Sequence, residues 1–313
     1  MPNKNLRYSK TKFVYEGFKM ERQYVSSRFL LLFFLTLFSG ISIAKEHNDK
    51  PKLEISPASI EYLPSIKNSQ YFKHLSPSLK RAYHIYVRLP ESFDESSSQK
   101  YPTIYLLDGG ITFPLLASYY QYLRFAEDLP EMIIVGISYG SNDFKNGNYR
   151  GTDFTAPAKS RSHYGGAAAF QKMLTSELLP LVEGHYPSDA NKRILFGQSL
   201  GGQFVLFDAL SQQQHFWSYI ASNPALHRNL EFFLSSDISF KKGENSEVKV
   251  FVSRAENDDE TFKIPADKWV KHWRSQKNKH FILKETWIKN HNHFSIAPDS
   301  FRNGLIWIFE TTK

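Results

Sequence analysis

The sequence predicts an α/β fold in a single domain, with a mostly parallel central sheet flanked by helices. Three observations lead there. Short apolar runs recur along the chain, and several are continuously apolar rather than alternating, as strands covered on both faces must be. Between them lie stretches with apolar residues every three to four positions, the helical period. The apolar run 193–196 passes straight into Gly197-Gln198-Ser199-Leu200-Gly201-Gly202 and then into a helical pattern, a strand-turn-helix junction around a serine. Composition agrees with a folded chain: of 313 residues, 41% are apolar, 15% aromatic and 22% charged, which excludes an intrinsically disordered protein. The chain has no cysteine, which excludes a disulfide scaffold, a thiol nucleophile and any cysteine metal site.

In chain order, the first feature is a leader. Residues 29–44 read FLLLFFLTLFSGISIA, an uncharged run of sixteen, against the roughly 20 apolar residues a bilayer-spanning helix needs. Arg22 and Arg28 precede it, Ser42 and Ala44 close it with small residues, and the polar KEHNDK follows. This is the pattern of a secretory signal peptide cleaved after Ala44, with translation starting at Met20, so residues 1–44 are leader and 45–313 the folded domain. An uncleaved anchor or a buried core helix is the competing reading. Export to the periplasm or beyond suits a cysteine-free chain.

The strand at 81–90 alternates as a half-buried strand, and further strands are expected at 102–109, 132–140, 192–199, 218–224 and 248–256. A last one, FILKETWI, precedes residue 289. Helices are expected at 167–186, 201–212 and 264–276. In such a sheet, ligand sites lie beyond the carboxyl ends of the strands.

Gly197-x-Ser199-x-Gly201 places a serine on a tight, sterically strained turn, with glycines where strand and helix must approach. The Leu200 amide then lies at a helix N-terminus, where developing negative charge is favoured. A serine nucleophile needs a base and an orienting acid, following it in that fold context in the order Ser, acid, His. Among the later histidines, His291 and His293 lie on the loop after the last strand, and local sequence does not separate them. For the acid, the end of the strand at 248–256 offers Glu256, Asp258, Asp259 and Glu260, most of which suit a solvated turn capping the next helix.

These residues carry a family resemblance over nearly all of 52–309. Tyr101-Pro102 with Tyr105-Leu106-Leu107-Asp108-Gly109, the loop Arg150, Asp153, Thr155 and Pro157, and the tail His293-x-Ser295-x-x-Pro298 each resemble motifs of the esterase family of α/β-hydrolases, in the branch of siderophore (ferric enterobactin-type) esterases. The resemblance implies an α/β-hydrolase fold and His293 as the base. The family's G-x-x-E pattern falls on Ser253 to Glu256, which implies Glu256 as the acid, with Asp258 as the alternative because the glycine is missing. It also implies Gly110 as the second oxyanion amide beside Leu200.

Two departures stand out. Gln198 replaces the family's usual histidine, a change expected to be neutral because that side chain flanks the nucleophile outside the proton relay. Asn223-Pro224-Ala225-Leu226-His227 replaces the usual S-P-S segment, so Asn223 and His227, with Arg150, are candidate substrate contacts. Arg161, His163 and Arg254 are further cationic positions from which an anionic ligand could be met.

The expected activity is exported hydrolysis of a carboxylic ester or lactone by Ser199, His293 and Glu256 through an acyl-enzyme, with a siderophore ester among the substrates. An acyltransferase using the same residues, and a catalytically silent binding protein of the same fold, are the alternatives. No cofactor or metal is implied: the histidines lack zinc-site spacing, and no glycine-rich phosphate loop is present. The partner implied is a small-molecule ester, with no nucleic acid and no stable membrane span once the leader is gone. The formal charge of +8 does not argue otherwise. Residues 1–44 hold seven Lys and Arg against two acids, leaving +3 over the remaining 269 residues.

Overall fold

Eight strands hydrogen-bond into one sheet in the order β1-β2-β4-β3-β5-β6-β7-β8 in a computed structural model of the chain. The structure describes residues 63–159, 161–211, 215–235, 248–276 and 281–310. The leader expected over 1–44, its start at Met20 and its cleavage after Ala44 lie outside them.

The strands are β1 (Ser69–Leu75), β2 (Ala82–Arg88), β3 (Tyr101–Leu106), β4 (Ile133–Ser138), β5 (Ser188–Gln198), β6 (Ser218–Ser222), β7 (Val248–Ala255) and β8 (Phe281–Ile288). The pairings β1–β2 and β2–β4 are antiparallel, and all others, from β4 across to β8, are parallel. Helix α1 (Gly109–Ala126) follows β3, and α2 (Arg150–Asp153) follows β4. Next, α3 (Ala167–Met173) continues through a π-helical turn (Leu174–Leu178) into α4 (Leu179–His185). The remaining helices are α5 (Leu200–Ala209), α6 (Leu230–Leu234), α7 (Glu260–Ser275) and α8 (Ala297–Glu310). None of the described helices is long and apolar enough to cross a membrane.

The expected mostly parallel sheet is therefore present, and β4, β6 and β7 are buried along their whole length because both faces are covered. Alternate residues serve opposite layers. Ile104, Leu106, Ile194, Phe196 and Ile220 pack with Phe113 and Leu116 of α1 and Phe301 and Leu305 of α8. Their neighbours Tyr105, Leu107, Leu195 and Tyr219 pack with Phe170 of α3, Phe204 of α5 and Trp269 of α7. Full burial of each such side chain contributes about 1.5–3 kcal/mol, so the two layers fix the sheet's register and aim the carboxyl ends of β3, β5, β7 and β8 at one edge.

Two elements differ from expectation. The helix 109–126 and the edge strand 69–75 were not signalled by periodicity. Helix α1 buries Thr112, Phe113, Leu116, Ala117 and Tyr120 yet leaves Ile111, Leu115, Tyr122 and Phe125 exposed, so apolar residues circle it and no single stripe stands out.

Candidate active site

Between the end of β5 and the start of α5 only Ser199 turns the chain, and it does so at φ 59° and ψ −114°, a conformation sparsely allowed for a residue with a side chain. Three backbone bonds hold it there. The Ser199 N–H donates to the Ser222 carbonyl at 3.0 Å, and its own carbonyl accepts from Gln203 N–H at 2.9 Å and Ala225 N–H at 3.0 Å. Glycines make the turn possible: a Cβ on Gly197 would collide with the Gly201 backbone, and one on Gly202 would lie 2.9 Å from the Ser222 carbonyl oxygen.

The raised hydroxyl meets a histidine. Ser199 Oγ lies 2.8 Å from Nε2 of His293, which is buried on the loop between β8 and α8. His293 Nδ1 lies 3.0 Å from Oδ2 of Asp258 on the loop between β7 and α7. The Phe262 ring covers the imidazole at 4.0 Å between centroids, limiting its motion. His291, the other candidate base, points elsewhere, with Nε2 2.9 Å from Asp299 and Nδ1 against Ser295.

The acid is thus a correction: Asp258, not Glu256, faces His293. The reason is the path of the two loops. Pairing of β7 with β8 continues past both strands, with Glu256 N–H donating to Ile288 O at 3.1 Å and Asn257 N–H to His291 O at 2.9 Å. That extension turns the exposed Glu256 carboxylate back on Asn290 N–H at 3.1 Å and delivers Asp258, two residues later, under the imidazole. The other carboxylates of the run have separate tasks. Asp259 caps α7 by accepting from Thr261 N–H at 2.7 Å, the Thr261 hydroxyl and then this N–H hold its pKa below the usual carboxylate value, and Glu260 pairs with Lys263 at 3.1 Å.

Asn223, expected to meet substrate, instead supports this acid. It sits at φ 45°, a left-handed conformation asparagine tolerates, with Nδ2 2.6 Å from Asp258 Oδ2 and Oδ1 accepting from Ala255 N–H at 3.2 Å. The same Nδ2 is 2.9 Å from His293 Nδ1. Both nitrogens are donors when the His293 Nδ1–H donates a hydrogen bond to Asp258, so the bond that counts is the shared one: two donors converge on Oδ2, while Oδ1 accepts from Asp259 N–H at 2.8 Å.

Arg150 is corrected likewise. Its guanidinium forms a bidentate pair with Asp108, at 2.7 and 2.9 Å, rather than being left free for a ligand. Asp108 holds a left-handed backbone at φ 56° and begins α1, so Arg150 fixes the turn that carries Gly110. Arg150 is itself anchored: at the other end of α2, buried Asp153 accepts from Arg81 at 2.7 Å, Tyr83 at 2.8 Å and Tyr139 at 3.0 Å. Burial lifts the Asp153 pKa although Arg81 opposes it. Gly110 is the second residue of α1 and Leu200 the first of α5, positions whose N–H groups have no acceptor within their own helices. The two turns adjoin, since a Cβ on Gly201 would lie 3.5 Å from Asp108 Oδ2.

His227 lies at the margin of the site, its ring edge-on to Phe262 at 4.8 Å, with Nδ1 buried and lacking a hydrogen-bond partner among the described residues. Burial, then Arg228, His293 and Arg161, lowers its pKa below the ordinary value, so it is neutral near pH 7. Arg254 is buried between Asp267 and Glu285 and over Trp287, which removes it from ligand contact. Gln198 lies outside the proton relay, as expected, and its side-chain amide donates to the His293 carbonyl.

Comparison with known proteins bears on the family and the fold. The model of the Putative esterase family matches residues 76–303. Ferri-bacillibactin esterase BesA of Bacillus subtilis is 31% identical over 197 residues, 56% of this chain and 66% of that protein. The apo-salmochelin esterase of Escherichia coli is 30% identical over 165 residues, half of each chain. This chain therefore spans just under two thirds, and one half, of the lengths of these curated relatives. The crystal structure of the BES protein from Bacillus cereus superposes with a TM-score of 0.67 at 24% identity, covering 83% of this chain and 99% of that one. That likeness is one of fold. With the family's pattern running from before β2 into α8, the chain belongs to the Putative esterase family of α/β-hydrolases.

Proposed function

We propose that the protein is an exported serine esterase that cleaves a carboxylic ester or lactone through an acyl-enzyme, with siderophore esters as its substrate class. The observation that carries the reading is the unbroken hydrogen-bonded line from Ser199 Oγ through the His293 imidazole to Asp258, at 2.8 and 3.0 Å. His293 Nε2 takes the Ser199 proton as Oγ attacks the ester carbonyl. Asp258 holds the imidazole in the tautomer with hydrogen on Nδ1 and stabilises the imidazolium. The N–H groups of Gly110 and Leu200 receive the tetrahedral oxyanion. Collapse expels the alcohol, which receives the proton from His293, and water activated by the same base releases the acid and Ser199.

The substrate class rests on the names of the relatives, ferri-bacillibactin esterase and apo-salmochelin esterase. Export rests on the signal-peptide pattern of 29–44. A fluorophosphonate should label wild-type protein on Ser199 stoichiometrically, and a catecholate trilactone should turn over with a higher kcat/KM than p-nitrophenyl acetate. A folded protein that takes no label overturns the serine mechanism. Labelling with a wide preference for the acetate overturns the siderophore class alone.

A further inference from the structure

Resting on that reading of the site, we infer that Gln198 is a positioning residue, which holds the backbone of the base in register with the nucleophile by donating from its side-chain amide to the His293 carbonyl. Gln198 is the last residue of β5, immediately before Ser199. Its Nε2 donates to His293 O, while its Oε1 accepts from Ser222 Oγ at 2.6 Å. Behind Ser222 the bonds continue: Ser222 Oγ lies 2.9 Å from Ser300 Oγ, and Ser300 Oγ lies 2.6 Å from Ser253 Oγ. All three serines are fully buried.

These hydroxyls come from β6, β7 and α8, and each has one proton to give. Ser300 gives its proton to the Ile296 carbonyl at 3.0 Å and accepts from Ser253, which leaves the Ser222 proton for Gln198 Oε1. The far end of the glutamine must then be a donor, because a backbone carbonyl only accepts. The His293 carbonyl and the Ser222 hydroxyl together fix which way the amide faces, and the amide ties the loop on which the imidazole rides. Nucleophile and base are consequently joined twice, once through Nε2 and Oγ and once through adjoining backbone.

This second connection differs from the role of Asp258. Asp258 orients the ring about its own bonds, whereas Gln198 sets where the ring's Cα stands. Misplacing a reacting group by about 1 Å can cost about 100-fold in rate, and it does so without altering how substrate is held. The signature is therefore a loss in kcat with KM preserved.

The test compares Gln198→Met, Gln198→Glu and Gln198→His in the full-length chain, with kcat expressed per fluorophosphonate-labelled site. Methionine has similar length and no donor, and its variant should lose about 10- to 100-fold in kcat with KM within about twofold. Glutamate keeps the acceptor for Ser222 but sets a second acceptor against His293 O, and should lose at least as much. Histidine can present an N–H at similar reach and should recover kcat to within about fivefold of wild type. If Gln198→Met does not fold, Ser222→Ala decides: freeing Oε1 should lower kcat about threefold to tenfold with KM unchanged.

A Met variant within twofold of wild type overturns the inference, as does a His variant as impaired as the Met variant, or, when Ser222→Ala decides, an unchanged kcat in it. In each of these results the wild type still labels and hydrolyses ester, so the proposed function survives. A wild type that neither labels nor hydrolyses any ester overturns both together.

Discussion

Ser199→Ala should lower kcat for ester hydrolysis by about 10^4- to 10^6-fold, while leaving substrate affinity and thermal stability close to wild type. The expected size follows from what is removed. Ser199 Oγ is the only group that His293 Nε2 contacts at hydrogen-bonding distance among the described residues, so no neighbouring hydroxyl can take over the attack. The turn should survive because it is held by backbone bonds from Ser199 to Ser222, Gln203 and Ala225, none of which needs the side chain. Residual turnover above water would come from the Gly110 and Leu200 amides acting alone. Steady-state kinetics on the preferred ester, with fluorophosphonate labelling as the control for the lost nucleophile, checks this. A variant retaining more than about 1% of wild-type kcat would remove Ser199 from the chemistry.

Asp258→Asn is the second large effect, at about 10^3- to 10^4-fold in kcat, or roughly 4–5.5 kcal/mol of transition-state stabilisation. Oδ2 of Asp258 accepts from both Asn223 and His293, and Oδ1 accepts from the Asp259 N–H. An asparagine has one oxygen for these two sides. Turned one way its NH2 opposes two donors, and turned the other it opposes one; in both cases the negative charge that stabilises the imidazolium is gone. Glu256→Gln is the matched control. Among the described residues that side chain accepts only from Asn290 N–H at the surface, so kcat should stay within about threefold. Measuring both variants on one ester separates the two carboxylates, and the opposite ranking would return the acid's role to Glu256.

The difference between those carboxylates marks where sequence stops being sufficient. Ser199 was legible because its turn imposes local demands, glycines at 197, 201 and 202 between an apolar strand and a helix, that few other structures share. The parallel strands were legible because burial on two faces leaves uninterrupted apolar runs. Asp258 was not, because four carboxylates stand within five residues, and which one faces the base depends on how far the β7 and β8 loops stay paired. The contacts of Asn223 and Gln198 were not legible for a related reason. Their partners, Asp258 and His293, are 35 and 95 residues away in sequence, so their tasks exist only once four strands are side by side. Helix α1 escaped because exposed Ile111, Leu115, Tyr122 and Phe125 blur the stripe its buried face would draw.

The placement of β8 at the end of the sheet has a further consequence, in how the site can come apart. β5, β6 and β7 each pair on two sides, whereas β8 pairs with β7 alone and exposes Ile282 and Trp287. Partial opening of a fold starts where fewest bonds must break, and a margin strand needs to lose one ladder rather than two. The loop bearing His293 follows that strand directly, while Ser199 leaves the sheet's interior. Fraying at this border would therefore withdraw the proton acceptor and spare the nucleophile, so the protein's working state is less durable than its folded state. The Gln198 amide and the paired β7 and β8 loops are the only fastenings, among the described residues, that tie the base's own backbone inward against that loss.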